Sequence, residues 1–236
     1  MSNIQARLSQ ANELIEKGLN LIAVFNLCDL DRDSLSHLEK NCSQLSHYRQ
    51  LILVAHGGKK MWETLQKSNI KSDNPVDDFS IQTLEQFFLK NYPECKYEFL
   101  YPNNQSIGLQ NLWTLAGWHH SSPFKVGINQ EWGSWFAYRA VLLTDSNFEL
   151  TETNEKPSPC QKCQEKNCIN NCPANALDAG EFRFKLCIAY RKKENSLCRD
   201  NCLARYSCPV AQEHRYGDDQ IHYHYSVSMK MIEELY

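Results

Sequence analysis

Apolar positions recur along the chain at two spacings, one helical and one strand-like. Ile4, Leu8, Leu14 and Ile15 fall at helical intervals, so residues 2–18 predict a helix. Leu21-Ile-Ala-Val-Phe25 and Leu51-Ile-Leu-Val-Ala55 are unbroken apolar runs of strand length, the second closed by His56-Gly57-Gly58. Residues 34–47, 59–68 and 79–91 predict helices, with Leu84, Phe87, Phe88 and Leu89 on the buried side of the last. Tyr97-Glu-Phe-Leu-Tyr101 alternates like a strand, and Ile107–Trp118 predicts a helix. Val126–Asn129 and Trp135–Thr144 predict strands flanking a turn at Gly133. Strands alternating with helices over residues 1–150 predict an α/β domain.

The pattern changes near residue 150. TETNEKPSPC, residues 151–160, is a polar, proline-bearing linker. From Cys160 to Cys208 there are few long apolar runs, so side-chain burial cannot be the main stabiliser there. A metal framework can replace a core in so short a segment. The tail mixes His and Tyr, with His222 and His224 alternating with Tyr223 and Tyr225 as in an edge strand. It then predicts a helix over Ser226–Leu235. The expected division is 1–150, 151–212 and a docking tail 213–236.

Composition narrows the function classes. The chain has 236 residues, 42% hydrophobic, and a formal net charge of −3, enough to bury a real core but with no basic excess for a nucleic-acid face. No run approaches the roughly 18 apolar residues of a membrane span, and the first twenty residues lack the apolar segment of a secretory signal. The expectation is a cytoplasmic protein with no membrane partner, in which thiols stay reduced.

That matters because the chain has eleven cysteines. Eight lie between Cys160 and Cys208. The first group reads Cys160-Gln-Lys-Cys163-Gln-Glu-Lys-Asn-Cys168-Ile-Asn-Asn-Cys172-Pro173. The ferredoxin pattern is C-x2-C-x2-C-x3-C-P; here two residues are inserted before Cys168. The second group is Cys187, Cys198, Cys202 and Cys208, followed by Pro209. In two-cluster ferredoxins the cysteine before proline serves the other cluster. By that logic one 4Fe–4S cluster takes Cys160, Cys163, Cys168 and Cys208, and the other takes Cys172, Cys187, Cys198 and Cys202. The alternative is two zinc sites, which four-cysteine sets also suit; doubled Cys-Pro endings and interleaved ligands fit zinc less well. Residues 156–208 carry ten Lys/Arg against five Asp/Glu. Lys162, Lys166, Arg183, Lys185 and Arg199 are candidates to stabilise an anionic cluster. Cys28, Cys42 and Cys95 stand apart and read as small buried hydrophobes.

The cysteine layout and the segment before it resemble epoxyqueuosine reductase, a cobalamin-dependent enzyme with two 4Fe–4S clusters. The matching residues are Gly117-Trp118, Ile128-Asn129, Gly133-Ser134-Trp135-Phe136, Leu143-Thr144-Asp145 and Cys187-Ile-Ala-Tyr190. Leu51-Ile-Leu-Val and Gly133-Ser-Trp-Phe-Ala-Tyr-Arg139 are also similar to the cblC-type cobalamin-processing protein. The resemblance implies a nitroreductase-like, corrinoid-binding α/β domain followed by a small ferredoxin-like two-cluster domain. It implies an oxidoreductase that passes electrons from a flavodoxin- or ferredoxin-type donor through two 4Fe–4S clusters to cobalamin, acting on a small-molecule or corrinoid substrate. Gly133, Ser134, Trp135 and Phe136 would lie near the corrin face, and Tyr138 and Arg139 would continue into the pocket. The family's catalytic Asp corresponds to Tyr101, an acid with an ordinary pKa near 10. The family's helical-repeat tail has no counterpart, which with the acidic charge counts against a tRNA substrate. The remaining alternatives are an electron-transfer or cobalamin-carrier protein without a catalytic site, and a zinc-stapled binding module.

Other features carry less. His56-Gly57-Gly58 could seat a phosphate at a helix start, but a tight structural turn is the simpler reading. His119-His120 could line a pocket or sit in a surface loop. Trp113, Trp118, Trp132 and Trp135 could wall a flat tetrapyrrole, but aromatics fill cores first.

Overall fold

A computed structural model describes residues 6–42, 44–103, 107–153, 156–178 and 181–236. Ile4 and linker residues 154–155 lie outside the described residues. In chain order the elements are α1 (Asn12–Glu16), β1 (Leu21–Asn26), α2 (Arg32–Asn41), β2 (Gln50–Gly57), α3 (Lys60–Gln66), α4 (Pro75–Asn91), β3 (Tyr97–Tyr101) and α5 (Leu109–Leu115). There follow β4 (His120–Ser121), β5 (Gly127–Ile128), β6 (Phe136–Thr144), α6 (Asn167–Asn170), β7 (Leu177–Asp178), β8 (Glu181–Phe182), α7 (Phe184–Arg191), α8 (Leu203–Tyr206) and α9 (Asp218–Leu235). They form two units: Met1–His119 with Phe136–Glu155, and His120–Trp135 with Lys156–Tyr236. The division therefore differs from a single break near residue 150. The segment holding Gly133, Ser134 and Trp135 belongs with the cysteine-rich chain, and so does the tail.

The first unit is built on a four-stranded sheet in the order β1-β2-β6-β3, antiparallel at every pairing. All eight residues of β2 are buried, as an unbroken apolar run in a central strand requires. Leu51, Leu53, Leu100, Leu112, Trp113, Val141 and Leu143 form the centre of one core cluster. The mixed helix-and-sheet architecture is the α/β class expected.

Two helices depart from the sequence pattern. Within the described part of residues 2–18 there is a 3-10 turn at Leu8–Gln10, then α1, separated by Ala11 in extended geometry. Leu8 and Leu14 are both buried, so the break lets two short pieces insert their leucines where one rod would not. Helix α4 begins four residues before the expected start. Pro75 occupies its first turn with Asp77 and Asp78, a favourable start for a helix with its positive end there. Leu84 and Phe88 are fully buried, but Leu89 is 73% exposed, because one residue past Phe88 the helix has turned by about 100°.

In the second unit two-residue pairings (β4 with β5, β7 with β8) and short helices surround the cysteines. The tail is one helix, α9, and His222–Tyr225 is helical rather than extended. Ile221, Met229 and Ile232 are buried on it and Tyr225 packs with Trp135, Tyr216 and Ile221. Their spacing of three and four outweighs the local His/Tyr alternation.

Candidate metal centres

Each cysteine is set by a local backbone device. Ser158 caps a 3-10 turn at Pro159–Gln161, its side chain accepting from Cys160 N. That turn leads to Cys163, whose N–H reaches Cys160 O at 3.4 Å. Lys166, with φ of 46°, starts α6, which carries Cys168. Cys172 N–H donates to Ile169 O at 3.2 Å. Cys187 lies on α7 and Cys202 precedes α8. Cys198 N–H donates to Ser196 Oγ at 3.2 Å, and Cys208 N–H to Arg205 O at 3.2 Å.

These devices place the eight thiols around two cavities. Cys160, Cys163, Cys168 and Cys208 line one of about 320 Å3, with Ile128, Ile169 and Val210. Cys172, Cys187, Cys198 and Cys202 line another of about 370 Å3, with Ile188, Arg191 and Tyr225. Phe124 lines both. The same grouping appears in how the thiols act on one another. Burial first, then Cys208 and Cys160, push the Cys168 thiol up to about 11. Burial first, then Cys202, push Cys187 to about 11 despite Arg191. Cys160 is raised by burial and then by Cys208 and Cys163; Cys198 by burial and then by Cys202 and Cys172. None of these influences crosses from one set to the other.

Among the described residues, no three His, Cys, Asp or Glu side chains converge closely enough for a single ion. Four thiols line each cavity. The donor set fits a bulky anionic group with four corners.

The remaining site candidates lie elsewhere. Gly133 has φ of 57°, and a Cβ there would stand 2.3 Å from Val210 O, so only glycine fits. Ser134 and Trp135 are buried in the second unit, where Ser134 Oγ accepts from Arg205 Nε at 3.4 Å. Phe136, Tyr138 and Arg139 are on β6 in the first unit. Tyr138 stacks on Trp113 at 4.1 Å, and Trp113 on Trp118 at 5.6 Å. The Tyr138 hydroxyl bonds His119 Nδ1, and burial pushes its pKa far up. None of these six lines a cysteine cavity.

Arg139 belongs to a cluster that the sequence pattern does not reveal. Its Nε donates to His56 Nδ1 at 2.9 Å, and its Nη1 stands 3.6 Å from Asp77 Oδ1. His56 is fully buried within β2, so it does not open a phosphate-binding turn. Tyr101 is half-buried beside this cluster. Burial raises its phenol, Arg139 opposes that and Asp77 adds to it. Asp77 is raised by burial against the pull of Arg139. The signal that links them is only that central strands carry His and Arg where apolar residues are expected.

The outlying cysteines differ from one another. Cys42 is buried, Cys95 is half-buried against Thr144 Oγ1, and Cys28 is exposed, in a short turn after β1. His222 pairs with Asp200 at 2.7 Å on the surface. The exposed cations near the cysteines, Lys162, Lys166, Arg183, Lys185 and Arg199, are joined by two buried ones that stand out only in three dimensions, Arg191 and Arg205. Arg191 follows Cys187 by four residues on α7 and Arg205 follows Cys202 by three, spacings that put each pair on one helical face.

The molecule is thus a mixed helix-and-sheet protein with a second unit organised around two four-thiol cavities. Its fold is that of epoxyqueuosine reductase. The chain matches the Streptococcus thermophilus enzyme with a TM-score of 0.52 at 16% identity, over 85% of this chain and 65% of that one. An epoxyqueuosine reductase bound to a tRNA-Tyr stem loop matches with 0.52 at 16% identity, over 89% and 68%. The Bacillus subtilis enzyme matches with 0.52 at 15%, over 88% and 66%. The chain spans about two thirds of the length of these proteins. No protein-family model matches the chain, and no curated protein matches its sequence. Among the described residues no helix is long and apolar enough to cross a membrane.

Proposed function

We propose that the chain is an iron–sulfur oxidoreductase. One 4Fe–4S cluster is held by Cys160, Cys163, Cys168 and Cys208, the other by Cys172, Cys187, Cys198 and Cys202. Electrons arrive from an external flavodoxin- or ferredoxin-type donor and leave to a corrinoid held by the first unit. The observation that supports the cluster reading is the pair of cavities, each lined by four thiols. Bound clusters supply one-electron carriers whose potential depends on charge, hydrogen bonds and burial. The chain's own residues do the rest: Ile128, Ile188 and Val210 keep water from the sulfurs, and Phe124 stands against both sets.

The corrinoid rests on likeness of fold and on the motif from Gly133 to Arg139. Its side chains are committed within their own units: Ser134 to Arg205, Tyr138 to Trp113 and His119, Arg139 to His56 and Asp77. A second reading, an electron carrier without a catalytic site, is favoured by Tyr101, because burial makes its phenol a weaker acid still.

The test is purification without oxygen. Roughly eight irons and eight sulfides per chain, with a broad absorbance near roughly 400 nm that dithionite bleaches, are expected. A colourless chain loaded with zinc would sink the cluster reading. Adding cob(II)alamin should then shift its spectrum; intact clusters with no shift leave the electron carrier.

A further inference from the structure

We infer that Arg191, together with Arg205 acting through the Tyr225 hydroxyl, neutralises the second cluster and makes it the more readily reduced of the two. The inference rests on the cluster reading above.

Arg191 is 6% exposed and Arg205 7%. Among the described residues neither makes an ion pair with a carboxylate. The hydrogen-bond partners of Arg191 among the described residues are neutral: Cys198 O at 3.0 Å, Ser228 Oγ at 3.0 Å, Arg199 O at 2.9 Å and Tyr225 O at 3.0 Å. Arg205 donates to Ser134 O and Oγ, and its guanidinium lies 4.6 Å from the Trp135 ring and 5.1 Å from the Tyr216 ring. A charge taken out of water is costly unless an opposite charge offsets the loss. Two such cations in one small unit call for an anion nearby.

The structure places one anionic candidate beside both. Arg191 and Tyr225 line the cavity ringed by Cys172, Cys187, Cys198 and Cys202. Arg205 and Cys202 both lie close enough to the Tyr225 hydroxyl to act on its acidity. In the inferred arrangement the hydroxyl accepts from the guanidinium and donates its own proton to the sulfur. Arg191 carbonyl bonds hold the backbone at Cys198, so its charge and the ligand loop are fixed together. The first cavity has weaker compensation. Its charged lining residues, Lys166 and Asp178, are exposed and opposite in sign. The half-buried Arg215 acts on Cys208 and donates to Tyr206 O on the exposed side.

Reduction adds one electron and one negative charge to a cluster. Buried cations and donors to sulfur favour that state, and exposed charges are screened. The second cluster therefore fills first from dithionite, and the first fills at a lower potential.

The experiment is a mediated dithionite titration of the loaded full chain, followed by electron paramagnetic resonance. Wild type should give two one-electron waves. Tyr225→Phe removes only the hydroxyl, and Arg191→Gln removes the charge while iron and sulfide content reports an intact unit. Each should move the higher wave down by about tenfold in its equilibrium constant, about 59 mV, and leave the lower wave in place. Arg191→Lys, which restores the charge, should recover part of that shift. Loaded variants whose higher wave stays put, or whose lower wave moves instead, overturn the inference alone. A chain that holds no iron and sulfide overturns the cluster reading and the inference with it.

Discussion

The two units solve the problem of holding a fold together in different ways. The first buries a sheet: Leu51, Ile52, Leu53, Val54, Val141, Leu142 and Leu143 are without exposure, and Trp113 packs with Leu51, Leu53, Val141 and Leu143. The second has a core cluster whose buried members include two cysteines, Cys168 and Cys208, beside Phe124, Ile128, Leu177 and Ala204. Its largest interior side chains include two arginines. A unit of the first kind is complete when its chain has folded. A unit of the second kind has thiols and two buried cations turned inward, the cations bonded to neutral groups. The lesson is that similar burial can represent a finished core in one place and a mould in another.

The sharpest way to break this contrast is to remove the proposed clusters. Structural metal sites contribute on the order of 10 kcal/mol to folding. A chain stripped of iron should lose amide protection from residues 156–236 and keep it across β1, β2 and β6. Hydrogen exchange on the stripped chain checks this; equal loss in both units would refute the contrast. The converse is Trp113→Ala, expected to cost about 3–5 kcal/mol. Its urea midpoint should fall while iron per chain stays constant, and a loss of iron would show the units to be one.

A smaller effect tests the buried cluster in the first unit. Asp77 in the folded chain titrates above its ordinary value because burial disfavours its charge. The folded state then holds that proton more tightly than the unfolded chain. The stability it contributes is present below the usual carboxylate range near pH 4 and is lost as pH rises through the folded value. Asp77→Asn should flatten this part of the urea-midpoint profile, and an unchanged slope would exclude Asp77 as its source. Smallest of all is the exposed Arg7–Glu149 pair at 2.6 Å. Arg7→Ala should leave both the midpoint and the iron content unchanged, since water screens such pairs.

What could be read in the sequence follows the same contrast. Strands β1, β2 and β6 announce themselves because an apolar run in a buried sheet has only one way to be satisfied, and β3 by its alternation. Which four cysteines line each cavity follows the Cys-Pro endings, which are local and so legible. Long-range partners are not. Arg205 reads as one more surface cation until Trp135 and Tyr216 close over it. Leu89 reads as core until the turn of α4 carries it outward. His222–Tyr225 reads as a strand because four residues hold both periods, and only Met229 and Ile232 further along decide for the helix. Cys28 is exposed because its turn after β1 lies at the surface, which no spacing rule encodes.

The chain passes from one unit to the other three times, at residues 119–120, 135–136 and 155–156. Strand β6, which joins β2 to β3 in the sheet, comes after the excursion of residues 120–135. On the ribosome the first unit must wait for part of the second to be made before its central strand exists. A cut near residue 150 would sever neither unit cleanly, leaving the excursion with Ser134 and Trp135 on the wrong fragment. The two units are therefore interleaved along one chain, and neither can be made whole from a single continuous stretch of it.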